Sequence, residues 1–357
     1  MAAITGRDSA AQRVVTRQDG TPQGSAGFDW LMIGLSALFL AGLWVDGWAH
    51  FHGEVDGSFF TPWHLLFYGS FAIAAATLVY FQVRNTGKGF AFTRALPRGY
   101  WLSLVGVGVF AVGGAGDMVW HTLFGIEDGS EALTSPTHLL LAIGMGLVFT
   151  GAMRSAWTRF PTREAARGWR DLGAMILGAA LTLTLVMFFV SYGNPIVNPA
   201  PLLDFPTAFG MRDAMQDFGV TGVVFTAALF AAVVSLLAWR WRLPFGTFVV
   251  LFVVPTALLT VLNDFYPLIV PALVAGVIAD VAYALLRPSP ERGGRYLLFC
   301  GLAPLVYFSL YMVTLSALEP LRWSVHVWTG AAFLSGVVGV LLAGVISSAH
   351  SGTAVVD

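Results

Sequence analysis

The sequence predicts an all-α, polytopic integral membrane protein, a helical bundle of about ten transmembrane helices with both termini in the cytoplasm. Of its 357 residues, 57% are hydrophobic and 11% are charged, whereas soluble domains carry about 25% charged residues. The mean hydropathy is +0.74. Apolar runs long enough to cross about 30 Å of hydrocarbon recur along the whole chain. The lipid bilayer is therefore an expected partner, and no room remains for a soluble catalytic domain.

Ten apolar runs are predicted to span the membrane. In chain order they cover 29–50, 61–83, 99–122, 135–157, 171–192, 219–240, 245–264, 266–287, 296–317 and 325–348.

These spans divide the chain into four parts. They are a flexible cytoplasmic tail at 1–28, a duplicated region of two hairpins at 29–158, a six-span region at 159–350 and a second tail at 351–357. The first tail lacks the apolar core of a signal peptide. The six-span region contains a long external loop at 194–219, where prolines precede a stretch, 208–218, that we expect to form an interfacial helix.

The basic residues give the orientation. Of 19 Lys and Arg residues, all except Arg212 and Arg322 fall on one side of this topology. The positive-inside rule therefore places both termini in the cytoplasm of a multi-pass cell-membrane protein. The loops within the first two hairpins then face the outside or periplasm.

A polar pattern occurs twice in the duplicated region. Each copy has an Asp, a His four residues later, and a second His two positions after a hydroxyl–Pro pair. The copies are Asp46-Gly-Trp-Ala-His50 with Thr61-Pro-Trp-His64, and Asp117-Met-Val-Trp-His121 with Ser135-Pro-Thr-His138. Asp and His at i, i+4 share a helix face, and hydroxyl–Pro begins a helix. The offset of 71 residues between Asp46 and Asp117 predicts a parallel repeat that gathers the four histidines in one region.

Two imidazoles and a carboxylate are a common ligand set for transition metals. The sequence thus offers two metal-ligand sets, Asp46, His50 and His64, and Asp117, His121 and His138. Copper heads the affinity order for such donors, with zinc and iron as alternatives. Two further interpretations stay open. Each Asp–His pair could be a buried ion pair that stiffens its hairpin, or the four histidines could ligate b-type haem.

Other polar residues are candidates for supporting roles. One acid, Asp280, falls well inside a predicted span and is a candidate proton relay, or else a hydrogen-bonded partner of Tyr283 or a neighbouring helix. We expect five further residues to surround the ligand sets: His52, Asn263, Asp264, Glu319 and His326. Cys300 is the only cysteine, which excludes a disulfide or multi-thiolate metal site within one chain. No basic groove for nucleic acid is found.

The Asp-x3-His…His pattern resembles the C subunit of particulate methane and ammonia monooxygenases, the copper membrane monooxygenases. That subunit carries two neighbouring copper ligand sets, of which one has Asp and the other Asn in the first position. The resemblance covers the first four spans, and Asp117 stands where the family typically has Asn. It implies a copper site that activates O2 for a small lipid-soluble substrate, in a complex with other membrane subunits. A metal uptake or delivery protein and a b-type haem electron carrier are the alternative functions.

Overall fold

The computed structural model describes residues 20–54, 60–125, 127, 129–166, 168–204 and 210–351. The regular structure in these ranges is helical. The α-helices are α1 Ala26–Phe51, α2 Pro62–Thr86, α3 Trp101–Phe124, α4 Ser130–Thr134, α5 Pro136–Phe149, α6 Gly151–Arg159, α7 Gly168–Phe189, α8 Met211–Arg240, α9 Thr247–Val261, α10 Ile269–Leu286, α11 Gly293–Leu318 and α12 Val325–Ser351. Most of the two predicted tails, 1–19 and 352–357, lies outside the described residues.

Most of these helices have the length and composition of membrane spans. Within the described ranges, nine helical segments are long and apolar enough to cross a bilayer, and α5 and α6 together form one of them. The all-α membrane bundle predicted from the sequence is confirmed. The predicted span at 245–264 corresponds to α9, an apolar helix of 15 residues. It is shorter than the roughly 20 residues that a perpendicular span needs.

The predicted interfacial helix over 208–218 needs a correction. From Met211 onward these residues form the first turns of α8, which continues without a break to Arg240. Residues 211–240 contain no proline and no two adjacent glycines. The polar first turns therefore continue into the apolar part of the helix instead of forming a separate one. Residues 208 and 209 lie outside the described residues.

The chain divides into two compact units, and the first contains residues up to Pro161 together with Gly173–Gly178. In it, α1 packs on α2 and α3 packs on α5. The two hairpins share a common core in which the ring of Phe39 lies edge-on to that of Phe110, with centroids 4.9 Å apart. These two residues are 71 positions apart, the same offset as the repeat. The duplication seen in the sequence is therefore also a duplication in packing.

An ion pair with a buried carboxylate lies near the start of α1, at the end of the helix opposite Asp46. One carboxylate oxygen of Asp29 lies 2.6 Å from the guanidinium of Arg159, and the other accepts a hydrogen bond from the Tyr100 hydroxyl at 2.8 Å. Asp29 precedes Asp46 by 17 residues, which is about 26 Å along a helix.

The second unit contains residues 162–172 and the chain from Ala179 onward. Here α8 packs on α11 and α12, and α9 packs on α10. The described part of the loop at 194–219 is fixed to this unit, because the Tyr311 hydroxyl donates to the carbonyl of Pro195 at 2.8 Å and the Asn263 amide donates to that of Val197.

Candidate metal centre

The structure brings together the two ligand sets in the first unit. In each set, one ligand atom from the Asp and one from each His all lie within 4.8 Å of one another. The Asp and first His come from the last turns of α1 and α3, and the second His comes from the first turn of α2 and α5. We call them the first group (Asp46, His50 and His64) and the second group (Asp117, His121 and His138).

Helix caps position the second histidine of each group. The backbone N–H of His64 donates to the hydroxyl of Thr61 at 3.0 Å, and that of His138 donates to the hydroxyl of Ser135 at 3.5 Å. Proline follows each cap as the first residue of the helix. The hydroxyl–Pro pairs therefore begin α2 and α5 as the sequence predicts, and each His lies on the first turn.

Glycines explain why each Asp reaches the facing helix. A Cβ on Gly42 would lie 2.9 Å from the Cα of Phe67, and a Cβ on Gly113 would lie 3.1 Å from the backbone nitrogen of Leu141. Each glycine is one turn before its Asp, and each contacted residue is three positions after its group's second His. Close helix contact at this level brings the carboxylate beside the imidazole on the next turn.

The second group converges on a single carboxylate oxygen. The Nε2 atoms of His138 and His121 lie 2.9 and 3.4 Å from Oδ1 of Asp117. The Asp117 side chain is only 1% exposed. Each imidazole also has an acceptor on its other nitrogen. Nδ1 of His138 lies 2.5 Å from the carbonyl oxygen of Ala132, and Nδ1 of His121 lies 3.0 Å from Oε2 of Glu127.

This arrangement favours a cation. Each Nδ1 faces an acceptor, and in the neutral tautomer that donates a hydrogen bond to this acceptor, Nε2 presents a lone pair. Two lone pairs then point at a carboxylate oxygen, which is itself an acceptor. The contact is favourable when a metal ion lies among the three atoms or when both imidazoles are protonated. Metal-binding histidines commonly show this pattern, with the second nitrogen donating to a carboxylate or carbonyl.

The distances fit a small metal ion. Ligand atoms about 2.0–2.2 Å from a tetrahedral ion are themselves about 3.3–3.6 Å apart. The Nε2–Oδ1 distance is 3.4 Å for His121 and Asp117 and 3.5 Å for His64 and Asp46. The 2.9 Å separation of His138 from Asp117 would need to widen by a few tenths of an ångström. Both groups thus have donor atoms of the right type, and in each group every donor atom lies within 4.8 Å of the others.

The two groups adjoin. The rings of His64 in the first group and His121 in the second have centroids 6.4 Å apart, and those of His121 and His138 are 5.6 Å apart. The parallel repeat therefore produces one site region, as the sequence predicts. His52 is not among the ligand atoms of either group. Its Nδ1 lies 2.8 Å from the carbonyl of Trp48, and its ring stacks on the Trp48 indole.

Three residues contact the second group without having been predicted to do so. The hydroxyl of Tyr68 donates to Oδ2 of Asp117 at 3.1 Å, and that of Thr137 donates to Oδ1 at 3.2 Å. The third is Glu127, which faces His121. Thr137 and Glu127 lie close to the motif in sequence and could have been proposed as partners. Tyr68 is 49 residues from Asp117, and no sequence pattern connects them.

Five other polar candidates lie in the second unit. Asp280 accepts hydrogen bonds from the backbone N–H groups of Phe248 and Val249 at 3.3 and 3.1 Å, so it caps the first turn of α9. Asp264 accepts from the Tyr266 hydroxyl at 2.6 Å. The others are Asn263, which donates to the loop carbonyl of Val197, and Glu319 and His326, which are exposed.

Comparisons with protein-family models, with curated proteins and with solved structures found no match to this chain.

Proposed function

We propose that this chain is an integral membrane protein that binds two transition-metal ions, copper foremost, one at each Asp/His/His group. The observation that carries the proposal is the convergence of His121 and His138, through Nε2, on one oxygen of Asp117. Both rings are already oriented through Nδ1. Orientation of this kind is what a preformed metal site needs before the ion arrives.

The donor set supports copper, with zinc and iron as competitors. Each group supplies two imidazole nitrogens and a carboxylate oxygen and no thiolate or thioether. Imidazole suits copper, zinc and iron, and copper stands highest in the affinity order of divalent ions. Three protein ligands leave a coordination position open, as in catalytic metal sites. A bound copper ion would supply redox chemistry at that position.

An open apolar depression lies on the exposed face of α3, the helix that carries Asp117 and His121. It has a volume of about 350 Å³ and is lined by Phe60, Met118, Val119, Thr122 and Leu123. Met118 and Thr122 directly follow Asp117 and His121 on α3. The motif's resemblance to copper membrane monooxygenases supports a role as a monooxygenase subunit that acts with other membrane subunits, and the exposed apolar depression on α3 is compatible with a small lipid-soluble substrate.

The interior beneath the groups favours retention of the metal over its transport. Phe39 and Phe110 lie seven residues before Asp46 and Asp117, about 10 Å deeper along their helices. Both are fully buried, and Phe67 packs against both of them. An ion passing inward would meet this aromatic core. Haem is disfavoured too, because Oδ1 of Asp117 lies 2.9 and 3.4 Å from the Nε2 atoms of His138 and His121 and occupies the space where a porphyrin bound to both would lie.

Copper titration of the purified protein tests the proposal. We expect the wild-type protein, stripped with chelator and reloaded in detergent or nanodiscs, to retain two copper ions per chain after desalting. His138→Ala and His50→Ala should each remove one ion, because each deletes one of three ligands. His326→Ala is the matched control, since this histidine is exposed and lies in the second unit. Equal copper content in all four proteins would show that the motif is structural.

A further inference from the structure

The two copies of the repeat are not equivalent around their carboxylates. Asp117 accepts hydrogen bonds from the hydroxyls of Tyr68 and Thr137. The position equivalent to Thr137 in the first copy is Trp63, whose indole N–H instead donates to the carbonyl of Glu54 at 3.1 Å. The position equivalent to Tyr68 in the second copy is Ala142. The repeat has therefore diverged at the two residues that hold Asp117.

Tyr68 connects the two groups physically. It lies on α2 one turn after His64, a ligand candidate of the first group, and the two rings have centroids 5.9 Å apart. Its hydroxyl reaches across to Asp117 on α3. The ring fits against Gly114, where a Cβ would lie 2.8 Å from a carbon of the Tyr68 ring. A residue larger than glycine at 114 would therefore displace the tyrosine.

We propose that Tyr68 is a positioning residue that makes the second group the tighter metal site and couples it to the first. The inference rests on the proposed metal binding. Because both of its oxygens accept hydrogen bonds, Asp117 presents its remaining lone pairs in a fixed direction. Less conformational freedom is therefore lost when an ion binds. Residues that orient a ligand in this way typically change metal affinity about 10- to 100-fold.

The coupling follows from the shared helix. Ligation of His64 by an ion in the first group fixes the first turns of α2, and Tyr68 lies on the next turn. Fixing Tyr68 fixes Asp117 and favours binding in the second group. Because coupling between binding sites is reciprocal, an ion in the second group also favours binding in the first.

Competition titrations with a copper chelator test the inference on the full chain. For the wild type we expect a tight site, which His121→Ala removes, and a weaker one, which His50→Ala removes. Tyr68→Phe should weaken the tight site about 10- to 100-fold. It should weaken the other site much less and remove the dependence of each site's affinity on occupancy of the other. It should also change the copper EPR spectrum of the tight site, because the carboxylate ligand is no longer held. Thr137→Val removes the other hydroxyl donor, keeps the shape of the side chain, and should act in the same direction.

A pair of glycine variants tests whether the placement of the Tyr68 ring matters when the tyrosine itself is kept. Gly114→Ala should weaken the tight site by displacing the ring. Gly108→Ala on the same helix should not, because a Cβ there meets nothing within 4 Å. Equal affinities in wild type and Tyr68→Phe, or an equal loss at both sites, would overturn the inference and leave metal binding intact. A wild-type protein that binds no copper would overturn the proposed function and the inference with it.

Discussion

At the scale of single residues, the first unit has largely buried carboxylates at two levels, with Asp46 and Asp117 near the last turns of α1 and α3 and Asp29 near the start of α1. Asp46 and Asp117 lie in the ligand groups. Asp29, which pairs with Arg159, lies about 26 Å from Asp46 along α1. The sequence predicted Asp46 and Asp117 as ligands because each is followed by a His four residues later. It did not predict the Asp29 pair, because the two partners lie 130 residues apart and share no motif.

We expect Asp29→Ala to destabilise the protein strongly without changing its copper affinity. Removal of the carboxylate leaves the partly buried Arg159 without its counter-ion, and breaking such a pair costs about 3 kcal/mol or more. The free energy of unfolding in mixed detergent micelles measures the loss, and a copper titration measures the affinity. Glu164→Ala is the control, because Glu164 also forms an ion pair, with Arg242, but both side chains are exposed, at 62% and 71%. Exposed pairs contribute little. If Asp29→Ala were as stable as the wild type, the stabilising role given to the Asp29–Arg159 pair would be wrong.

At the scale of helices, the local signals were predictable and the contacts between helices were not. The hydroxyl–Pro pairs mark the starts of α2 and α5, because capping is a property of adjacent residues. Likewise, the Asp and His spacing fixes a common helix face. The role of Tyr68 could not be predicted, since it depends on which residue of α3 faces α2. For Asp280 the sequence left a proton relay, a contact with Tyr283 and a contact with a neighbouring helix open, and the structure shows hydrogen bonds to the first turn of the neighbouring helix α9.

The close packing of α3 on α5 should determine the geometry and copper affinity of the second group. A Cβ on Gly106 would lie 2.7 Å from the carbonyl oxygen of Gly144, so Gly106→Ala should force the helices apart. Overpacking of this kind costs about 1–3 kcal/mol. It should also weaken copper binding at the second group, because Asp117 and His138 lie on these two helices. Gly108→Ala is the matched control, where alanine meets no neighbour and should be neutral or slightly stabilising. Identical unfolding and copper affinity for both variants would contradict this packing.

At the scale of the whole molecule, the arginine distribution predicts that the metal groups face outward. In a Cys300→Ala background, Gly129→Cys should react with an impermeant thiol reagent added to intact cells, because Gly129 is exposed and directly precedes α4. Lys88→Cys, exposed after α2, should react only after the cells are opened. Val55 offers a second outer position in the sequence but lies outside the described residues. The reverse pattern of labelling would place the groups in the cytoplasm.

Electron paramagnetic resonance of the wild-type protein loaded with Cu²⁺ tests the central claim most directly. The Asp/His/His groups predict two copper ions per chain, each with nitrogen hyperfine structure from imidazole. They also predict magnetic coupling between the ions, because the groups adjoin through His64 and His121 with ring centroids 6.4 Å apart. Loss of the coupling in both His50→Ala and His121→Ala would complete the assignment. Copper that is removed by desalting, or a spectrum without imidazole nitrogen, would contradict it.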